Sequence, residues 1–460
     1  MNKTADNATA TKLKRSVAYI TLVFAVPMSV VVLDGFGVRL LGRPIPDRRW
    51  VLVGLLIYWL VLVGLVVVRI RHGSWAMFLR RRRMHLILLA ISGLFGLVAI
   101  EIAMRVVFPG SHLPTFTLLR CPEFHHRNPS STDTYWGRLD GRTIVLHSNA
   151  DGLRTRYSRD EFNKYKTRIA ILGDSFAYGL GVREDEALPS VLQELLRAED
   201  DHRELAVLNA AVISYSPLLA RNLFDRVIKE YRPTLTILAL DLSDIGDDYN
   251  YEQELAHDGE DDIRFDAPDQ EMKHEWLAGL ALRRVVGLFG VWVRAPIAPI
   301  IDWFRDPQPP YDYNAVDLDI RGVKETNRFF VLRHPLADTE PYFRASWGHI
   351  QRLANRAAQI GSDFLLVVTP RFHHWSDREC PDNWESFAYA LDEPYEYEYF
   401  HFFEQVGREA GFPVFDLLPA FRETTRFPLV FNQDPHWNAD GHRFVAEILA
   451  EHLIAEGLVD

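Results

Sequence analysis

Residues 168–182 read RIAILGDSFAYGLGV. The short apolar run RIAIL predicts a strand buried on both faces. Gly173 lets the chain turn sharply at its end, and Gly179 and Gly181 keep the approach open. Ser175 therefore sits just past the end of a strand, in the turn that leads to the next helix. A serine hydroxyl is a weak nucleophile unless a base takes its proton. A base must then come from elsewhere in the chain, because Gly-Asp-Ser alone recurs by chance as a turn.

The same rhythm continues outward. ALPSVLQELLRA (187–198) places Leu188, Val191, Leu192, Leu195 and Leu196 on one helical face. LAVLN (205–209) predicts a strand, PLLARNLFDRVIKEY (217–231) a helix opened by proline, and LTILAL (235–240) a strand. ASWGHIQRLANRAAQIG (345–361) predicts a helix stopped by glycine, FLLVVT (364–369) and PVFDL (413–417) strands, and 439–454 a final helix. Strands that are apolar throughout and alternate with helices imply an α/β fold with a parallel sheet covered on both faces. Sites in such sheets lie at the carboxyl ends of the strands.

The second informative segment is FNQDPHWNADGH, residues 431–442. An imidazole that activates a serine needs its other nitrogen held by a carboxylate. Asp434 and His436 on one short loop supply such a pair. Asn438, Asp440 and Gly441 read as the start of the last helix, which makes His442 structural.

Gly173-Asp174-Ser175 and Asp434-Pro435-His436, at the two ends of this α/β region, resemble the first and last blocks of the SGNH (GDSL-like) hydrolases. HSNADGLRTR (147–156) resembles the lead-in of membrane-attached members. The likeness spans residues 143–457, less an insertion at 245–340. It implies a three-layer flavodoxin-like domain and ester hydrolysis or acyl transfer through an acyl-serine. Ser175 is then the nucleophile, His436 the base and Asp434 its orienter. The middle blocks depart from the family. Asn209 is present, but Ser214 stands where the family has glycine, and Ser243 in Asp241-Leu242-Ser243-Asp244 replaces its asparagine. The resemblance implies that Ser175, Ser214 and Ser243 contribute oxyanion donors, with Asn209 and Asp174 close by.

Around this domain the sequence predicts further organisation. Three apolar stretches, 16–34, 50–68 and 84–104, are each near the ~20 residues needed to cross a bilayer. Arg69, Arg71 and Arg80–Arg83 put the second loop in the cytoplasm, and Lys3, Lys12, Lys14 and Arg15 put the N-terminus there too. Arg39, Arg43, Arg48 and Arg49 in the first loop oppose this, but the longer basic loop outweighs them. The expectation is a multi-pass inner-membrane region (1–108), a Pro-rich linker and irregular layer (109–142), and an extracytoplasmic catalytic domain (143–460). The acidic run from Asp244 to Asp262 reads as a solvated loop. Trp276 to Trp303 reads as a lid, an interfacial helix or ordinary core.

A net charge of −11 argues against a nucleic-acid partner. Cys121 and Cys380 are too few for a zinc site; two buried thiols and one disulfide both fit. His373 and His374 follow a strand end, and as neighbours in an extended segment they point apart rather than at one ion. They read, with Arg371 and Trp375, as substrate lining. No metal or other cofactor is expected. The expected function is a serine esterase acting on an acylated extracytoplasmic carbohydrate or envelope polymer. An O-acyltransferase served by a membrane acyl-donor protein, and a non-catalytic scaffold, are the alternatives.

Overall fold

The computed structural model describes residues 113–459 apart from 115, 140–141, 199–203, 260–262, 271–311, 313–314, 381–382, 384 and 386–392, together with seven positions between 87 and 102. Two compact units divide the chain: Met1–Leu113 with Glu275–Pro310, and Pro114–His274 with Tyr311–Asp460. The first lies almost wholly outside the described residues. So do the expected spans 16–34 and 50–68, most of 84–104, and the Trp276 to Trp303 stretch. Among the described residues no helix is long and apolar enough to cross a membrane. The seven described positions between 87 and 102 are helical and exposed, and six of them are Ile87, Ile91, Leu94, Phe95, Val98 and Ile102.

The second unit begins with two antiparallel hairpins, β1 (Leu119–Cys121) with β2 (His125–Arg127) and β3 (Thr132–Leu139) with β4 (Arg142–Ser148). A short α1 (Arg159–Phe162) leads to β5 (Thr167–Gly173), the one-turn α2 (Ser175–Tyr178), α3 (Leu188–Ala198), β6 (Leu205–Asn209), α4 (Pro217–Arg226) and β7 (Leu235–Leu240). Then come α5 (Asp244–Gln253) and two hairpins, β8 (Leu255–Asp258) with β9 (Ile263–Phe265) and β10 (Ala315–Ile320) with β11 (Val323–Asn327). The fold closes with α6 (Leu336–Gln359), β12 (Asp363–Val368), α7 (Glu398–Gly407), β13 (Val414–Asp416), α8 (Leu418–Glu423) and α9 (Ala439–Ala455).

Five of these strands form one parallel sheet in the order β13-β12-β7-β5-β6. β6 and β7 are buried along their whole length, and β5 and β12 along all but their first residues. Such strands need cover on both faces. Right-handed crossovers put α3 on one face, where α9 packs against it, and α4 and α6 together on the other. This is the flavodoxin-like order, whose direction of winding reverses between the first strand, β5, and the third, β7. The crevice that opens at that reversal lies directly beyond Gly173, which pairs with Ala239 of β7.

Two expectations are corrected. Residues 109–142, expected as a linker and an irregular layer, instead form regular hairpins in their described part from Leu119 on, with Cys121, His125, His126 and Asn128 buried. Pro114 and Pro122 offer carbonyls to Tyr135 and Phe265. The acidic run does not begin as a solvated loop either, because α5 buries Asp244, Asp247 and Asp248. Each carboxylate meets a donor: the Asp241 N–H at 3.0 Å, Arg328 at 2.9 Å and the Leu218 N–H at 2.9 Å respectively. Charge density alone does not reveal such partners. Cys121 and Cys380 are both free, buried thiols, so the disulfide alternative is not realised.

Gly246 of α5 lies against the backbone of residue 328, and a Cβ there would come within 2.2 Å of the Arg328 carbonyl oxygen. Overpacking costs about 1–3 kcal/mol, against about 1 kcal/mol gained from better helix propensity. Gly246→Ala should therefore lower stability by about 1 kcal/mol, and by about 2 kcal/mol if the backbone at 328 cannot give way. Urea unfolding followed by tryptophan fluorescence checks this; an unchanged or raised midpoint would contradict the packing described.

Candidate active site

β5 ends at Gly173 with φ +147°, and a side chain there would sit 2.6 Å from the Ala239 carbonyl oxygen. Only glycine lets β7 approach this closely while the chain turns. Asp174 then caps α2: its Oδ1 accepts the Phe176 N–H at 2.8 Å. Ser175 is the first residue of that one-turn helix and is 9 % exposed. Backbone N–H groups in a first helical turn have no intrahelical acceptor.

The second half of the site arrives on the loop before α9. Val430 bridges Trp437, and the Phe431 N–H donates to the His436 carbonyl at 3.1 Å. Asn438 binds this loop to the helix. Its Nδ2 donates to the Pro428 and Val430 carbonyls at 3.0 Å each, and its Oδ1 accepts the Gly441 N–H at 2.9 Å. Buried Glu379 accepts the Leu429 N–H at 2.8 Å from the other side. So held, His436 places Nε2 2.7 Å from Ser175 Oγ, and Nδ1 2.5 Å from Asp434 Oδ1. A carboxylate only accepts, so the proton on the imidazole is on Nδ1 and Nε2 is free to accept from the hydroxyl. The three side chains thus make one hydrogen-bonded chain, Asp434 to His436 to Ser175.

Burial disfavours a charged imidazole, but the Asp434 carboxylate outweighs it and raises His436 above its ordinary pKa of 6.5. Asp174 is pushed up to about 7 by burial and by the nearby charge of Asp241. The remaining sequence candidates are placed differently. Asn209 donates one amide N–H to the Tyr178 carbonyl at 3.1 Å and accepts from the Ala211 N–H, which ties β6 to α2. The Ser243 hydroxyl donates to Asp241 at 2.7 Å, which commits it as a donor. The reason is that Asp241 is fully buried and draws in every donor within reach. Ser214 lies on the loop after β6 with φ +59°, a left-handed backbone at the position where the family resemblance expects glycine.

Sequence reasoning missed a buried ionic network beneath these residues. Arg371 binds Asp241 through Nε and through Nη2 at 2.8 Å, and it binds Glu385 through Nη1. Arg328 joins Glu385 at 3.1 Å to Asp247 at 2.9 Å. Burial alone would raise Asp241, but Arg371 reverses this and takes it down to about 2; Asp247 stays raised to about 7 by burial. The Arg371 guanidinium lies 5.2 Å from the Phe176 ring centre, next to Ser175. No local pattern signals the network, since Arg371 and Asp241 are 130 residues apart. Arg371 is therefore part of the interior and not substrate lining. His373, His374 and Trp375 line a cavity of about 780 Å³ whose walls do not include Ser175 or His436. Burial holds His373 down at about 3, and among the described residues no cluster of side chains is suited to a metal ion.

Residues 331–459 match a family model described as SGNH hydrolase-like domain, acetyltransferase AlgX. No curated protein sequence matches the chain. Solved structures similar to it include a catalytic mutant of Axe2, an acetylxylan esterase from Geobacillus stearothermophilus (11 % identity, 62 % of this chain, 94 % of that one, TM-score 0.33). They also include the esterase EstA from Pseudoalteromonas sp. inhibited by monoethylphosphonate (12 %, 64 % and 99 %, TM-score 0.32).

With Asp434→Asn the imidazole loses the charge that offsets its burial. His436, followed by NMR titration, should titrate above 6.5 in the wild type and below it in the variant. A pKa that does not fall would mean that Asp434 does not govern the imidazole.

Proposed function

We propose that this SGNH-type enzyme, an esterase or acetyltransferase by class, removes an acyl group, in the first instance acetyl, from an extracytoplasmic carbohydrate or envelope polymer. The observation that carries the reading is the hydrogen-bonded chain from Asp434 through His436 to Ser175. In this mechanism Ser175 Oγ adds to the acyl carbonyl while His436 Nε2 takes its proton. Asp434 stabilises the imidazolium that forms, and the imidazolium returns the proton to the leaving sugar hydroxyl. Water then repeats the sequence on the acyl-serine. The negative oxygen of each tetrahedral intermediate needs fixed donors. The backbone N–H groups of Ser175 and Ser214 fill that role in this reading, since the Ser243 hydroxyl is committed to Asp241.

Transfer to a second sugar hydroxyl, in place of water, is the other reading. It is favoured by the acetyltransferase named in the family description matching residues 331–459. It would call for a membrane protein that delivers acyl groups. A scaffold that only binds has no use for a hydroxyl bonded to a carboxylate-held imidazole. We place the domain outside the cytoplasm, anchored in the inner membrane. This rests on the Lys/Arg bias of the N-terminal loops and on the exposed apolar side chains between Ile87 and Ile102.

Ser175→Ala should cut hydrolysis of p-nitrophenyl acetate by the full-length protein by at least ~10³, and only the wild type should be labelled by a fluorophosphonate. In the wild type kcat/KM should rise with pH through an ionisation above 6.5, because only the neutral imidazole accepts the proton. A Ser175→Ala variant with unchanged activity removes the reading. Addition of an acetylated oligosaccharide and an unacetylated acceptor separates the two forms: free acetate marks hydrolysis, and new acceptor ester marks transfer.

A further inference from the structure

Ser214 carries the oxyanion role above in a conformation that its side chain does not favour. A non-glycine residue at φ +59° costs about 1–2 kcal/mol. Such a residue persists only where its surroundings over-determine it. Three hydrogen bonds do so here. Tyr251 of α5, fully buried, donates its hydroxyl to the Ser214 carbonyl at 2.7 Å. His126 of β2, also fully buried, holds the Ile213 carbonyl at 2.8 Å through Nε2. Tyr215 returns a bond from its hydroxyl to the His126 carbonyl at 2.9 Å.

The peptide between Ile213 and Ser214 is planar and trans, so its N–H points opposite to its C=O. Whatever fixes the Ile213 carbonyl therefore also aims the Ser214 N–H. Because that carbonyl only accepts, His126 must carry its proton on Nε2. Burial keeps His126 neutral, which leaves its Nδ1 to accept from His125 Nδ1, 2.7 Å away. His125 in turn lies 3.3 Å from Glu254, which Arg120 holds at 2.5 Å. Polar groups thus run from Arg120 through the β1–β2 hairpin to the peptide that precedes Ser214, where the Ile213 carbonyl sets the His126 tautomer.

We propose that Tyr251 and His126 are positioning residues for the oxyanion donor at Ser214, and that the β1–β2 hairpin is the buttress of the active site. Neither residue touches the substrate. Both act on the direction of one backbone N–H, which matters only once the acyl carbonyl becomes tetrahedral. The inference rests on the catalytic reading given above.

The test uses the full-length protein and p-nitrophenyl acetate, with active sites counted by fluorophosphonate labelling. Tyr251→Phe keeps the ring and deletes one hydroxyl. It should lower kcat per labelled serine by about tenfold or more, with KM unchanged. That is less than the ~10²–10³ expected when a donor is removed outright. His126→Asn, which releases the Ile213 carbonyl, should do the same. In a Ser214→Gly background, where a positive φ costs little, Tyr251→Phe should lose much less than it does alone. A purely structural role would lower the labelled fraction or the melting temperature and leave kcat per labelled site untouched in both variants; that result overturns the proposal. Ser175→Ala separates the layers. If it is inactive while both variants keep wild-type kcat, only this proposal falls. If it remains active, or if the wild type is inert, the catalytic reading falls and this proposal with it.

Discussion

A serine hydroxyl is chemically idle near neutral pH, and the proposed chemistry depends on one hydrogen bond, 2.7 Å long, to an imidazole 261 residues away. That bond constrains both ends of the domain. At one end β5 must stop with Ser175 facing the crevice where the sheet reverses its winding. At the other, the loop before α9 must present His436 with its second nitrogen already occupied. The glycine at 173, the Asp174 cap, the Asn438 clamp and the Glu379 carboxylate each serve one of those two requirements. None of them depends on the identity of the substrate.

Beneath the site lies a second constraint, which is electrostatic. Asp174, Asp241, Asp244 and Asp247 lie close together at the carboxyl ends of β5 and β7, all but removed from water. So many acids could not ionise together there. The structure answers in two ways. Arg371 and Arg328 pair with Asp241, Glu385 and Asp247, and burial pushes Asp174 and Asp247 up to about 7. Breaking a buried pair leaves a bare charge, at a cost of about 3–5 kcal/mol. The network is thus a rigid floor under α2. Arg371, which contacts Asp241, Glu385 and the Phe176 ring, is its centre.

The legibility of these features in the sequence follows from their range. The parallel sheet was legible because strands buried on both faces read as apolar runs, and RIAIL, LAVLN, LTILAL and FLLVVT became β5, β6, β7 and β12. Ser175, Asp434 and His436 were legible because each sits at a strand or helix end in a short pattern that chemistry constrains, and the geometry brings them together. Long-range pairing was not legible. Arg371 with Asp241, and His126 with Ile213, leave no local pattern. Nor does a run of aspartates disclose whether water or arginine satisfies it. The bonds that Asn209 and Ser243 make to Tyr178 and Asp241 were hidden for the same reason: residue type names the polar atoms, while the neighbours decide what they bind. Prolines in 109–142 suggested a linker because proline breaks regular structure, yet it does so at the turns of tight hairpins as well.

These departures bear on how the hole for the oxyanion is built. In the proposed mechanism, with the Ser243 hydroxyl given to Asp241 and one Asn209 N–H given to Tyr178, charge stabilisation rests mainly on backbone N–H groups. A side-chain donor can be moved by a rotamer change, whereas a backbone donor can be aimed only by fixing its peptide. Glycine in the family pattern adopts the required left-handed turn at little cost. Serine at 214 does not, so the burden passes to whatever grips the neighbouring carbonyls. In this chain those grips come from α5 and from a hairpin upstream of the α/β core. The left-handed serine at 214 and the folded hairpin at 119–127 are thus joined through one carbonyl, that of Ile213.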